Sequence, residues 1–123
     1  MGLSIQLVDT RLTGGTARRA KAKGGRRARR HVVSDIVDHL PEDGELAAVL
    51  AAAGRDTVPT LARVDPYDDT EFDHYFCELA LAELDRVAGL PLAAAEMAFV
   101  RELRALIRRA LAEPAYVVRF IGD

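Results

Sequence analysis

The sequence predicts a helix-rich α+β domain, and three observations carry that prediction. Apolar residues alternate with period two at both ends of the chain, at Leu3, Ile5 and Leu7 and again at Tyr116, Val118 and Phe120. Between them, two long stretches place apolar residues at helical spacing. Pro41, Gly54, Gly89 and Pro114 punctuate the segments. The expected architecture is a layer of about four helices covering a small antiparallel ribbon in which the N- and C-terminal strands pair, because a bare two-stranded ribbon is marginal in water.

In chain order, residues 3–9 read as a strand, closed by Thr13-Gly14-Gly15-Thr16. From Thr16 to Arg30 no apolar residue is larger than Ala, so burial cannot offset the ordering entropy. Residues 13–30 are therefore expected to be a basic mobile loop. Val32, Val33, Ile36, Val37 and Leu40 fit one helical face stopped by Pro41, and their β-branched content would also suit a strand. Asp43-Gly44 opens an alanine-rich helix, Glu45–Ala53, with Gly54 at its stop. Residues 56–67 look irregular. Phe72, Tyr75, Phe76, Leu79, Ala80, Leu84 and Val87 then make a core-facing stripe, a helix of about 17 residues capped by Asp68, Asp69 or Thr70. Pro91 suits the first residue of the next helix, whose stripe is Phe99, Leu103, Leu106, Ile107 and Ala110 and which Pro114 stops. Residues 116–121 close the chain as a strand.

At 123 residues the chain fits a single domain, 1–123, with one modest core. Leu and Val must build it, since 21 of the hydrophobic residues are alanine and only seven residues are aromatic. A lone cysteine, Cys77, excludes an internal disulfide framework and a cysteine zinc cluster, and fits a reducing compartment. No apolar run approaches the roughly 18 residues of a membrane span, and the first 30 residues reverse the order of a secretory signal. A cytoplasmic protein with no membrane partner is the expectation.

The net charge of −2 conceals a division. Residues 1–30 hold nine basic groups against one acidic group, whereas residues 31–123 hold eight basic against eighteen acidic. Each half would set its own potential and its own choice of partner.

The constellations that could carry chemistry are few. Asp65, Asp68, Asp69, Glu71, Asp73 and His74 crowd ten residues, but no EF-hand register fits them, and carboxylates before a helix are favoured by its dipole. His74 and Cys77 are one helical turn apart, the first requirement of a thiol nucleophile, yet Cys77 borders the apolar stripe and His74 has no evident orienting group. His31 and His39 match no metal spacing, Ser4 and Ser34 sit in no nucleophile elbow, and no phosphate-cradling glycine loop occurs. No catalytic residue, cofactor or metal is expected.

The stretch Arg63-Val64-Asp65-Pro66-Tyr67-Asp68-Asp69-Thr70-Glu71-Phe72 resembles a motif of small, functionally uncharacterised bacterial proteins, in which Arg-Val-Asp-Pro-Tyr is followed by Gly-Asp-Thr and, two residues on, Phe. Asp68 stands where that pattern usually has Gly, a departure that matters if the turn demands positive φ. The closing Phe120-Ile121-Gly122-Asp123 also looks like the C-terminus of those proteins. The resemblance implies no activity.

The sequence therefore points to a non-enzymatic protein-interaction module whose acidic body meets a basic protein. One concrete form is an immunity-type inhibitor of a cationic toxin, where electrostatic complementarity gives fast capture. The expected contacts are carboxylates on the exposed sides of the two long helices, such as Glu78, Glu83 and Asp85. The alternative is a nucleic-acid accessory protein binding phosphates through Arg18, Arg19, Lys21, Lys23, Arg26, Arg27, Arg29 and Arg30. Against it stand the missing aromatics and the acidic remainder. A solvated or self-associating basic loop is the simplest account of that segment.

Overall fold

The computed structural model describes residues 2–12 and 35–122. Its elements are strands β1 (Leu3–Asp9) and β2 (Ile36–Glu42), helix α1 (Glu45–Ala53), a short 3-10 turn (Leu61–Arg63), strand β3 (Thr70–Phe72), helices α2 (His74–Val87) and α3 (Ala94–Ala112), and strand β4 (Tyr116–Ile121). The strands form one antiparallel sheet in the order β2-β1-β4-β3. The expected pairing of the terminal strands holds, with Ile5 opposite Phe120 and Leu7 opposite Val118. It is the middle of a four-stranded sheet rather than an isolated ribbon.

Alternation gives the sheet two unlike faces. Leu3, Ile5, Leu7, Leu40, Phe72, Val118 and Phe120 point into the core and meet Leu46, Val49 and Leu50 of α1, Cys77, Ala80, Leu84 and Val87 of α2, and Phe99, Val100, Leu103, Leu106 and Ile107 of α3. On the other face a polar row crosses all four strands in register: Glu71, Arg119, Gln6 and His39. The next pair along, Val8 and Val117, is buried outside the main cluster.

Three expectations need correction. Residues 36–42 are a strand, not the end of a helix over 32–40; Val32 and Val33, like the predicted loop 13–30, lie outside the described residues. The β-branched Ile36 and Val37 suit a pleated edge, and Pro41 sits where β2 pairs only with β1 among the described residues, so its missing N–H costs little. Phe72 belongs to β3, opposite Val118, and α2 starts two residues later. Its cap is Asp73, whose Oδ1 accepts the Phe76 N–H at 3.1 Å, rather than Asp68, Asp69 or Thr70. Helix α3 starts at Ala94, three residues after Pro91, because the Glu96 carboxylate reaches back to the Ala93 N–H at 3.2 Å and fixes the first turn there.

Helix α1 begins after Gly44, whose φ of 100° favours glycine and which has no side chain to cap with. The buried Glu42 substitutes: Oε2 accepts the Leu46 N–H at 2.7 Å and Oε1 the Leu3 N–H at 3.1 Å. One carboxylate thus ties β1, β2 and the N-terminus of α1 together.

Candidate interaction surface

The segment 63–72 folds into a tight turn followed by an edge strand. Asp65 organises the turn: its Oδ1 accepts the Tyr67 N–H at 2.9 Å, its carbonyl accepts the Asp68 N–H at 3.3 Å, and its own N–H donates to Thr70 Oγ1 at 3.1 Å. Asp68 Oδ1 accepts the Asp69 N–H at 2.8 Å. No described non-glycine residue has positive φ, so this turn accepts Asp68 without strain. The C-terminus seats on it: a Cβ at Gly122 would lie 2.5–2.8 Å from the backbone of Asp68 and Pro66. The 63–72 segment and the closing residues of the chain are thus neighbours in space, joined further by the pairing of β3 with β4.

These contacts leave Tyr67 standing 75% exposed at the turn. On α2, Tyr75 is 66% and Leu79 39% exposed, one helical turn apart on the same side, with Glu78 exposed beside them. The Tyr75 ring meets the half-buried Phe76 edge-on at 5.2 Å, Phe76 lies 6.0 Å from the buried Phe72, and the Arg63 guanidinium sits 4.6 Å over the Phe76 ring. Asp65, Asp68 and Asp69 in the turn and Asp73 and Glu78 at α2 are exposed, and none forms an ion pair among the described residues.

The sequence-predicted contacts do not share this setting. Glu78 faces solvent as expected. Glu83 does not: it is 3% exposed, and its carboxylate accepts the Thr60 N–H at 2.9 and 3.1 Å and the Leu61 N–H at 3.0 Å. Helical spacing puts Glu83 beside Leu84 on the inward side, where the segment 58–61 packs against it with two N–H groups to satisfy. Asp85 is exposed but ion-paired with Arg104 at 2.7 Å. Nor do both long helices carry an acidic surface. Helix α3 places Arg101, Arg108 and Arg109 toward solvent, with Arg109 paired to Asp38. The eight cations from Arg18 to Arg30 lie outside the described residues.

The remaining chemical candidates are held in structural contacts. Cys77 is buried, its Sγ is 3.7 Å from the Phe72 carbonyl, and burial pushes its thiol up to about 12, which removes the thiolate a nucleophile needs. His74 Nε2 instead meets the Glu113 carbonyl at 2.9 Å. No group of three His, Cys, Asp or Glu residues that could hold a metal occurs among the described residues. Asp9 is held below the usual carboxylate range by the Arg11 side chain, which it binds at 2.8 and 3.0 Å. Two features escaped the sequence reading, the buried carboxylates of Glu42 and Glu83. Nothing in local spacing marks a glutamate whose partners are backbone N–H groups of another segment.

No helix is long and apolar enough to cross a membrane among the described residues. No family model, curated protein or solved structure matches the chain.

Proposed function

We propose that the chain is a non-enzymatic interaction module that captures a basic protein on the surface formed by the 65–69 turn and the outer side of α2. The observation that carries this reading is the combination at that surface. Tyr67, Tyr75 and Leu79 are exposed anchors of the kind that concentrate binding energy, and the exposed carboxylates of Asp65, Asp68, Asp69, Asp73 and Glu78 form no ion pair among the described residues. Such a rim attracts lysines and arginines over distance and so accelerates encounter, which suits an immunity-type inhibitor of a cationic toxin. Glu78 remains in the contact set, Asp85 serves at its margin, and Glu83 leaves it.

The test uses the partner that co-purifies with the full chain from its native cells. Tyr75→Ala and Glu78→Lys should each weaken its affinity while leaving the melting temperature unchanged. Affinity unchanged from wild type in both variants would refute the surface. The alternative, phosphate-backbone binding through residues 18–30, rests on the cation density of that segment. It predicts a gel shift of DNA at about 50 mM salt that disappears when residues 16–30 are deleted.

A further inference from the structure

A cleft of about 300 Å³ runs alongside α1, lined by Leu3, Leu46, Leu50, Val64 and Pro66, and reaches the 65–69 turn at Pro66. Its charged groups lie at opposite ends. Glu42 precedes α1 and Arg55 follows it, and the nine residues of the helix separate them by about 13 Å at the usual rise.

The two ends differ in what they offer a ligand. Both oxygens of Glu42 already accept backbone N–H groups, from Leu3 and Leu46, so a cation arriving there would compete with two formed hydrogen bonds. Arg55 is exposed at the other end and forms no ion pair among the described residues. One donor, on Nη2, is spent on the Ala62 carbonyl at 2.9 Å, which orients the guanidinium and leaves the rest of its five donors for an anion. We infer that this cleft binds a small monocarboxylic acid with an apolar body, its carboxylate on Arg55 and its tail along Leu50 and Leu46 toward Leu3. An apolar pocket with one convergent charged group has the usual make-up of a small-molecule site.

Octanoate, octanol and octylamine share one tail and differ in head group, so titrating each into the full chain by amide NMR separates the contributions. Octanoate should bind saturably at millimolar concentration, shifting the amides of Ala47, Leu50, Ala51 and Arg55, with octanol weaker and octylamine weakest. Arg55→Gln should weaken octanoate roughly tenfold or more, as expected for loss of a charge-assisted contact, and bring it level with octanol. Ala51→Leu should abolish binding without loss of melting temperature. That residue is exposed on the helix and lines the cleft, so the larger side chain fills the space without disturbing the core. No saturable octanoate shift, equal binding of octylamine, or unchanged affinity in either variant would overturn the assignment.

Discussion

The carboxylate of Glu83 on α2 receives the backbone N–H groups of Thr60 and Leu61, so a helix residue supplies the hydrogen bonds that a 3-10 turn 23 residues earlier cannot make for itself. All of these atoms are buried. Glu83→Ala would strand two donors away from water and should cost about 2–5 kcal/mol, read as a lower denaturant midpoint. Glu78→Ala, at an exposed position on the same helix, should change the midpoint little. Comparable effects of the two substitutions would contradict the burial described.

The aromatic cluster grades from core to surface, and truncation should follow that grade. Phe72 is buried against Phe120 at 4.9 Å, while Phe76 is half-buried under Arg63. Phe72→Ala should cost about 3–5 kcal/mol, the range for emptying an aromatic core site. Phe76→Ala should cost less, although the stripe spacing alone gives both the same weight. Circular-dichroism melts order the pair.

Gly122→Ala probes the seat between the C-terminus and the 65–69 turn. Its methyl group would fall within 2.5–2.8 Å of three backbone atoms, which cannot move aside as a side-chain tip could. The expected penalty is about 1–3 kcal/mol, with amide shifts concentrated at residues 66–68. An unshifted turn would show that the two segments do not touch.

Cys77 makes stability fall in alkali. Burial pushes its thiol up to about 12 in the fold, above an ordinary value of about 8.5 in the unfolded chain. The unfolded state therefore loses its proton first and is favoured progressively as pH rises above about 8.5. Below that pH both states are neutral and the group contributes no slope. Cys77→Ala should flatten the alkaline limb of a denaturant midpoint against pH, and the native thiol should resist alkylation at pH 8 until the chain unfolds.

The legible parts of this fold are those where local pattern and tertiary role agree. Period two at both termini, facing Ile5 toward the core beside Phe120, and the α3 stripe were readable because each residue's neighbours in sequence have the same environment as the pattern assumes. Strand β2 is ambiguous in sequence because Ile36, Val37 and Leu40 satisfy a helical spacing while their β-branched content suits a strand, and the partners that decide it lie across β1. Strand β3, three residues long, is decided by its pairing with β4 and merges into the stripe of α2 when only spacing is considered. At the surface, Glu78, Glu83 and Asp85 look alike in sequence. What separates them is distant: Thr60 and Leu61 for Glu83, Arg104 for Asp85, and for Glu78 no partner among the described residues.

Capture of a basic protein by the turn and the outer side of α2, as proposed, is open to test most directly by association kinetics with the co-purified partner. Wild type should associate quickly at low salt and slow steeply as salt rises, because the carboxylates steer from beyond contact distance. A double reversal at Asp69 and Glu78, Asp69→Lys with Glu78→Lys, should slow the low-salt rate about tenfold or more and flatten its salt dependence, leaving dissociation less affected. Association rates that are insensitive to salt and unchanged by the double reversal would contradict the account.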